Sequence, residues 1–485
     1  MTTTRKKSSQ TQLVFVPSPG MGHLISTVEF AKLLINHDHR LSLTILVMKT
    51  PQDTLTSSYT HSLSSSQRLH VITLPQPPPN PDPNNSSSSI TTLVDSYKPY
   101  VRDYVTTNIV NSNDSPRLGA FVVDMFCTTM VDVAREVHVP AFVFFTSGVA
   151  FLGLVLHLHT LRERDNVDVT ELKDTDTEFV IPSFANSVPA KALPSTVLYK
   201  EWVPFFLSYV EGLKKTDGIL VNSFDELEPH AVQSFSDNNN YYNNIPLYPV
   251  GPILKIEDKE GDDVRDMIMT WLNDQPSSSV IFLCFGSMGS FEVDQVREIA
   301  RALEASEARF IWSLRKPPPK GLNIRAPPSI YTAQELVEVL PEGFLDRTAE
   351  IGKVIGWAPQ AQVLAHEAIA GFVSHCGWNS TLESIYFGVP IATWPLYAEQ
   401  QTNAFELVKD LNLAVDIAMD YRLDFKGESS SVLSAQKIEK GIRDLLENDE
   451  VRKKVKEMSV KSRETLNQGG SSYSHLGRFI DYIVD

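Results

Sequence analysis

The chain has 485 residues, 42% of them apolar and 21% charged, with a formal net charge of -16. That length is more than one hydrophobic core organises, so two or three domains are expected, and the composition is that of packed globular material, not of a disordered chain. The acidic balance argues against nucleic acid or an anionic membrane surface as a partner, and it says nothing positive about a substrate.

In chain order, the charged start MTTTRKKSSQTQ is followed by a short apolar run, Leu13–Val16, and then Pro17, too brief for the core of a secretory leader. Cys127, Cys284 and Cys376 lie far apart with no CxxC pair, as expected of reduced thiols in a cytoplasmic protein. Leu13–Val16, Ser42–Val47, Ala120–Val123, Ala141–Phe145 and Gly218–Val221 read as buried strands, with helical periods such as Val28, Leu33 and Leu34 between them. Val139 to Leu156 carries no charge, yet Pro140 and the turn Thr146-Ser147-Gly148 divide it into a strand and a helix, whereas a membrane span needs ~20 continuous apolar residues. Leu247 to Ile253 and the acidic stretch Glu257 to Asp263 read as a linker. A second series follows: Val280–Phe285, Phe310–Leu314, Val354–Ile355, Gly371–Val373 and Pro390–Trp394. Such alternation predicts an α/β fold, parallel sheets covered by helices, in two Rossmann-like domains. The expected divisions are residues 1–250, a linker 251–263, residues 264–460, and a helical tail 461–485 packing back on the first domain. Pro75 to Ser89, Asp237 to Asn244, Lys316 to Ser329 and Lys426 to Ser431 are expected as surface loops. SH3-type recognition is the alternative for the proline-rich ones.

Two constellations carry chemistry. The first runs from Trp357 to Gln400, where a strand (Gly371 to Ser374), the turn His375-Cys-Gly-Trp-Asn379 and a helix opening at Ser380 would present backbone N–H groups at a positive helix end, a site for a pyrophosphate. His375 and Asn379 add donors, and Gly377 allows close approach. The second is His23 with Asp124. His23 follows the strand Leu13–Val16 and the turn Gly20-Met-Gly22, Asp124 ends the strand Ala120–Val123, and both therefore fall on the carboxyl edge of one sheet. A histidine beside a carboxylate is a general base with its orienting partner. Other features read more plainly. Ser380 with Glu383 also spells a capping box, Trp357 could be a core residue, His366 lies in a helical pattern as a structural residue, and Cys376 is a small buried filler. Gly20-Met-Gly22 lacks the third glycine of a dinucleotide loop, Ile25 taking its place. His157 and His159, two apart on a helix, face different directions, and Asp174-Thr-Asp176 reads as a solvated loop, so no metal site is expected.

The segment Trp357–Gln400 resembles, densely and along its whole length, the signature box of the plant family 1 UDP-glycosyltransferases. A weaker resemblance runs over nearly all of the chain, through Gly22-His-Leu24, Asp124 and Phe285-Gly-Ser-Met288. It implies the GT-B fold, two facing Rossmann-like domains with an interdomain cleft, the acceptor in the first and the donor in the second. It further implies that Trp357 stacks on the uracil and Gln360 bonds to the nucleoside. Glu383 would hold the ribose, and His375, Asn379 and Ser380, helped by Ser287, the phosphates. Trp378, Glu399 and Gln400 would meet the sugar. Many members carry Asp where this chain has Glu399, a change that would retune donor fit. His23 and Asp124 take the roles of base and orienting carboxylate.

The activity expected on this resemblance is inverting transfer of glucose from UDP-glucose, a co-substrate, to a hydroxyl of a small lipophilic acceptor, with no cofactor and no metal. Aromatic segments of the first domain would wall the acceptor pocket through Met125, Phe126, Thr146, Phe151 and Trp202, which suits flavonoids, other phenolics or triterpenoids. A monomer is expected. The rival readings are an NAD(P)-dependent oxidoreductase and a non-catalytic sugar-nucleotide-binding protein.

Overall fold

The computed structural model of the protein describes residues 10–49, 54–63, 67–78, 89–112, 115–173, 175–236, 242, 244–256, 263–319, 327–423 and 431–484. Asp174, the acidic stretch 257–262, residues 424–425, and residues 79–88, 237–241, 243, 320–326 and 426–430 of the expected loops lie outside them.

The first sheet contains β1 (Thr11–Val16), β2 (Leu41–Val47), β3 (Leu69–Thr73), β4 (Arg117–Asp124), β5 (Ala141–Phe145), β6 (Gly218–Val221) and β7 (Leu247–Pro249), in the order β3-β2-β1-β4-β5-β6-β7. Every neighbouring pair is parallel. β1, β2 and β5 are buried along their whole length, as strands covered on both faces are, and Leu13–Val16 in β1 and Ala141–Phe145 in β5 read as the continuous apolar runs such strands show. The second sheet contains β8 (Val280–Cys284), β9 (Arg309–Ser313), β10 (Gly352–Ile355), β11 (Ile369–Ser374), β12 (Ile391–Thr393) and β13 (Ala414–Asp416), in the order β10-β9-β8-β11-β12-β13, again all parallel. Each sheet reverses its winding once, between β1 and β4 and between β8 and β11. Those switch points are where α/β sheets open a crevice for ligands.

The helices used below are α1 (Met21–His37), α2 (Val149–Asp165), α3 (Val203–Lys214), α4 (Gln360–Ala365), α5 (Trp378–Phe387), α6 (Gln400–Phe405) and α7 (Ser471–Val484). Among the described residues no helix is long and apolar enough to cross a membrane. The uncharged stretch Val139–Leu156 is β5, a turn and the start of α2.

The contacts divide the chain into two compact units, one of residues 1–170, 199–255 and 464–485, the other of residues 171–198 and 256–463. This corrects the expected first domain of residues 1–250, because segment 171–198 leaves it for the second unit. Polar bonds hold the segment there: Ala185 and Asn186 donate backbone N–H groups to Asp410 (2.9 and 3.1 Å), Thr402 donates to the carbonyl of Ala192 (2.7 Å), and Arg422 donates to the carbonyl of Leu193 (2.6 Å). In the first unit, α7 presents Leu476, Phe479, Ile480 and Ile483 to a core shared with Leu13, Phe15, Val28, Leu34 and Phe142. That spacing is one helical stripe, and each such side chain contributes about 1.5–3 kcal/mol on burial. Ser472 Oγ donates to the carbonyl of Gly251 (2.6 Å) and Ser471 Oγ to Glu226 (2.8 Å), fixing the start of the helix.

Four readings change. Leu247–Pro249, expected within the linker, is the edge strand β7, where Pro249 is tolerated. β3 and β13 were not expected. α5 begins at Trp378 with Gly377 as its N-cap and no side-chain cap, so Ser380 lies inside the first turn and the capping-box reading falls. His366 is the residue just beyond α4, its Nε2 3.1 Å from Asn273 Oδ1.

Candidate active site

At the switch point of the first sheet, β1 and β4 run in register, Val16 beside Val123. The chain leaves β1 through Gly20, whose φ of 133° is open to glycine, and enters α1, with His23 in its first turn. Asp124 is the last residue of β4. Their side chains meet, His23 Nδ1 lying 2.8 Å from Asp124 Oδ2, with the carboxylate fully buried and the imidazole 27% exposed. The other oxygen, Oδ1, accepts the backbone N–H of Phe126 (3.0 Å). Thr146, expected in the acceptor wall, touches the same nitrogen: its Oγ1 is 3.2 Å from His23 Nδ1, and its hydroxyl donates to Met125 Sδ (3.4 Å). An ionised carboxylate only accepts, so Nδ1 carries the hydrogen, shared between Asp124 and Thr146, and the lone pair is on Nε2. Such a tautomer suits a general base.

Beside the histidine runs an aromatic array. Phe126 lies 5.2 Å from the imidazole and about 6 Å from Phe205 and Tyr209, which stack on each other, and Trp202 meets Phe205 edge to face. Phe126 and Trp202 thus belong to one apolar wall. Phe151 packs on the fully buried Phe145 and serves the core. The sequence reading missed Tyr209, although its spacing from Phe205 on α3 (four positions) places both rings on one face.

At the switch point of the second sheet, Ser287 follows β8 in an exposed turn and His375 follows β11. The His375 ring is buried between two glycines: a Cβ placed on Gly286 or on Gly377 would lie 2.6 Å from its Nε2. Burial lowers its pKa to about 4, so the ring is neutral at neutral pH, and Nδ1 has no hydrogen-bond partner among the described residues. Gln360 opens α4, and its Nε2 donates to Ser380 Oγ and to Glu383 Oε2, both at 2.8 Å, which joins three expected donor-site residues in one network. Trp357, just before α4, keeps 44% of its surface exposed. Asn379 and Glu399 are half-buried, and Trp378 is buried. Gln400 is also buried, its Oε1 accepting the backbone N–H groups of Leu396 (2.9 Å) and Tyr397 (3.1 Å), so that its amide NH2 is the group left to meet a ligand. Cys127, Cys284 and Cys376 are free and buried, and burial raises all three thiols, which removes them as nucleophiles.

A profile described as "UDP-glucoronosyl and UDP-glucosyl transferase" matches residues 245–444. The chain is 52% identical to UDP-glucose flavonoid 3-O-glucosyltransferase 6 of Fragaria ananassa over 493 aligned positions, covering 99% of each protein. This chain is a plant UDP-glycosyltransferase. The transferase is 49% identical to anthocyanidin 3-O-glucosyltransferase 1 of Manihot esculenta, over 96% of its own length and 100% of that relative. Its fold superposes with a TM-score of 0.87 on a transferase from Siraitia grosvenorii in complex with UDP (45% identity; 98% of this chain, 100% of that one). With a Medicago truncatula transferase complexed with UDP-glucose the score is 0.84 (38% identity; 99% of each chain). The fold class is therefore GT-B, and the oxidoreductase and non-catalytic readings fall away.

Proposed function

We propose that this transferase moves glucose from UDP-glucose to a hydroxyl of a flavonoid or another small lipophilic acceptor, inverting the anomeric centre to give a β-glucoside. The observation that carries the reading is the buried Asp124 carboxylate 2.8 Å from His23 Nδ1, on the edge of the aromatic wall. His23 Nε2 takes the acceptor proton as the oxygen attacks the anomeric carbon opposite the departing UDP, and Asp124 stabilises the imidazolium that forms. In the second unit, Trp357 takes the uracil, Gln360 and Glu383 the nucleoside, and Ser287, His375, Asn379 and Ser380 the phosphates, with the α5 N-terminus supplying positive potential. Trp378, Glu399 and Gln400 serve the sugar, Gln400 through its NH2. A positive helix end and a neutral donor replace a cation, so the chemistry needs neither metal nor cofactor. The names of the relatives from Fragaria and Manihot support glucose as the sugar and a flavonoid-type acceptor. Gln400 supports UDP-glucose over UDP-galactose, because a fixed donor discriminates hydroxyl orientation.

The test is His23→Ala. On a weakly acidic alcohol kcat should fall by ~10²–10⁴-fold, with UDP binding unchanged. Asp124→Asn should lower kcat as well, and the double variant should be scarcely worse than His23→Ala alone, since the pair acts as one unit. A His23→Ala enzyme with wild-type kcat on that alcohol would end the assignment.

A further inference from the structure

We infer that Glu228, which the chemistry above does not use, is a positioning residue for the catalytic base. Its side chain is buried, only 1% of the residue being exposed, yet it sits among donors. Oε2 accepts the backbone N–H of Val149 (2.9 Å) and the hydroxyl of Ser223, and Oε1 accepts the backbone N–H of Ala150 (2.7 Å). These two N–H groups open α2, whose N-cap Gly148 offers no side chain. A carboxylate borrowed from a distant loop thus caps the helix, where the helix dipole favours negative charge.

The turn it fixes is the one that carries Thr146. On one side, β5 ends at Phe145, whose carbonyl accepts the N–H of Asn222 (2.9 Å). On the other, α2 begins at Val149 under Glu228. Thr146, Ser147 and Gly148 span the gap between two pinned ends, and Thr146 Oγ1 shares the Nδ1 hydrogen of His23. Glu228 is held in turn: the carbonyl of Ser223 accepts the N–H of Gly251 (2.7 Å), and α7 grips the same loop through His475 on Asp225 (3.0 Å) and Ser471 on Glu226 (2.8 Å). The line of contact runs from the last helix of the chain, through Glu228, to the ring that takes the proton.

This inference rests on His23 being the base, and its test separates the two. Glu228→Gln keeps the shape but turns an NH2 toward a backbone N–H. Transfer to a weakly acidic alcohol should slow about tenfold in kcat, because small misplacements of a reacting group carry large kinetic penalties. The KM for UDP-glucose should stay within about twofold, and the loss should shrink on a phenol already ionised at the assay pH, which needs less help from a base. In a Thr146→Ala background the same substitution should add little. Val101→Ala, a buried truncation in a helix elsewhere in the first unit, supplies the control for lost stability, with kcat unchanged at a comparable loss of Tm. If Glu228→Gln does not fold, Glu228→Asp keeps the charge with a shorter reach and should show the same pattern at smaller size. Wild-type kcat in the folded variant, an equal loss on the ionised phenol, full additivity with Thr146→Ala, or an equal kcat loss in Val101→Ala would each overturn the inference. With His23→Ala inactive, such a result leaves the base assignment standing.

Discussion

Gly377→Ala is the sharpest probe of the phosphate end of the donor site. The Gly377 φ of -63° suits any residue, so alanine there meets no backbone strain. Its new methyl would lie 2.6 Å from His375 Nε2, where ordinary contact begins near 3.4 Å, so the ring must retreat by about 0.8 Å. A hydrogen bond from the imidazole to a phosphate oxygen does not survive that displacement. Bonds to charged groups contribute about 1.5–3 kcal/mol, and 1.4 kcal/mol is tenfold, so the Kd for UDP should rise by roughly 10- to 150-fold. Gly286→Ala pushes the same nitrogen from the other side, but at a φ of 75° it adds backbone strain of roughly 1–2 kcal/mol, which should appear as a lower Tm. Titration calorimetry with UDP, with thermal unfolding of both variants, reads the two effects separately. A folded Gly377→Ala enzyme that binds UDP like the wild type would refute a phosphate-binding role for His375.

Glu383→Ala should raise the KM for UDP-glucose while Tm stays close to wild type, because Ser380 is not the cap of α5; a Tm loss with normal KM would restore a purely structural role. Activity should survive excess EDTA in metal-free buffer, and a loss that magnesium or manganese restores would contradict the proposed leaving-group stabilisation. Stability should depend on pH through His375 and His157, both lowered to about 4 chiefly by burial. Unfolded imidazoles bind protons from about pH 6.5 downward and the folded ones only near pH 4, so stability is complete above that window and falls through it, by on the order of 3 kcal/mol per histidine at most. Denaturant melts of the wild type and of His157→Gln between pH 7 and 4.5 would show it, and identical slopes in the two would count against His157.

The interior strands were legible because parallel strands buried on both faces leave continuous apolar runs, as in Leu13–Val16 and Ala141–Phe145. The strands that escaped notice are all at sheet edges. Leu69–Thr73 is partly exposed, and Leu247–Pro249 and Ala414–Asp416 have three residues each, one of them with a proline. An edge strand is paired on one side only, so neither length nor burial writes a periodic signal. His23 and Asp124 were traceable because each follows a readable strand and the carboxyl edge of a parallel sheet collects whatever comes next. The contact of Thr146 with His23 was not traceable, since it depends on how a three-residue turn is pinned by Glu228, far along the chain. The transfer of segment 171–198 to the second unit rests on polar bonds to Asp410, Thr402 and Arg422 and left no mark in composition.

The place of α7 has a bearing on how the protein is made and recombined. The core of the first unit takes Leu476, Phe479, Ile480 and Ile483 from the end of the chain, so a nascent polypeptide carrying all seven strands of the first sheet still lacks part of their cover. Domains ordinarily fold in the order they are synthesised. Here the earlier unit is completed last, after the whole of the later one has been translated, and until then the apolar surface reserved for α7 is open to chaperones or to aggregation. A hybrid enzyme that joins the first unit of this chain to the second unit of a relative therefore needs four crossovers, after residues 170, 198, 255 and 463, and a truncation meant to trim a dispensable tail would strip the first unit of one of its walls.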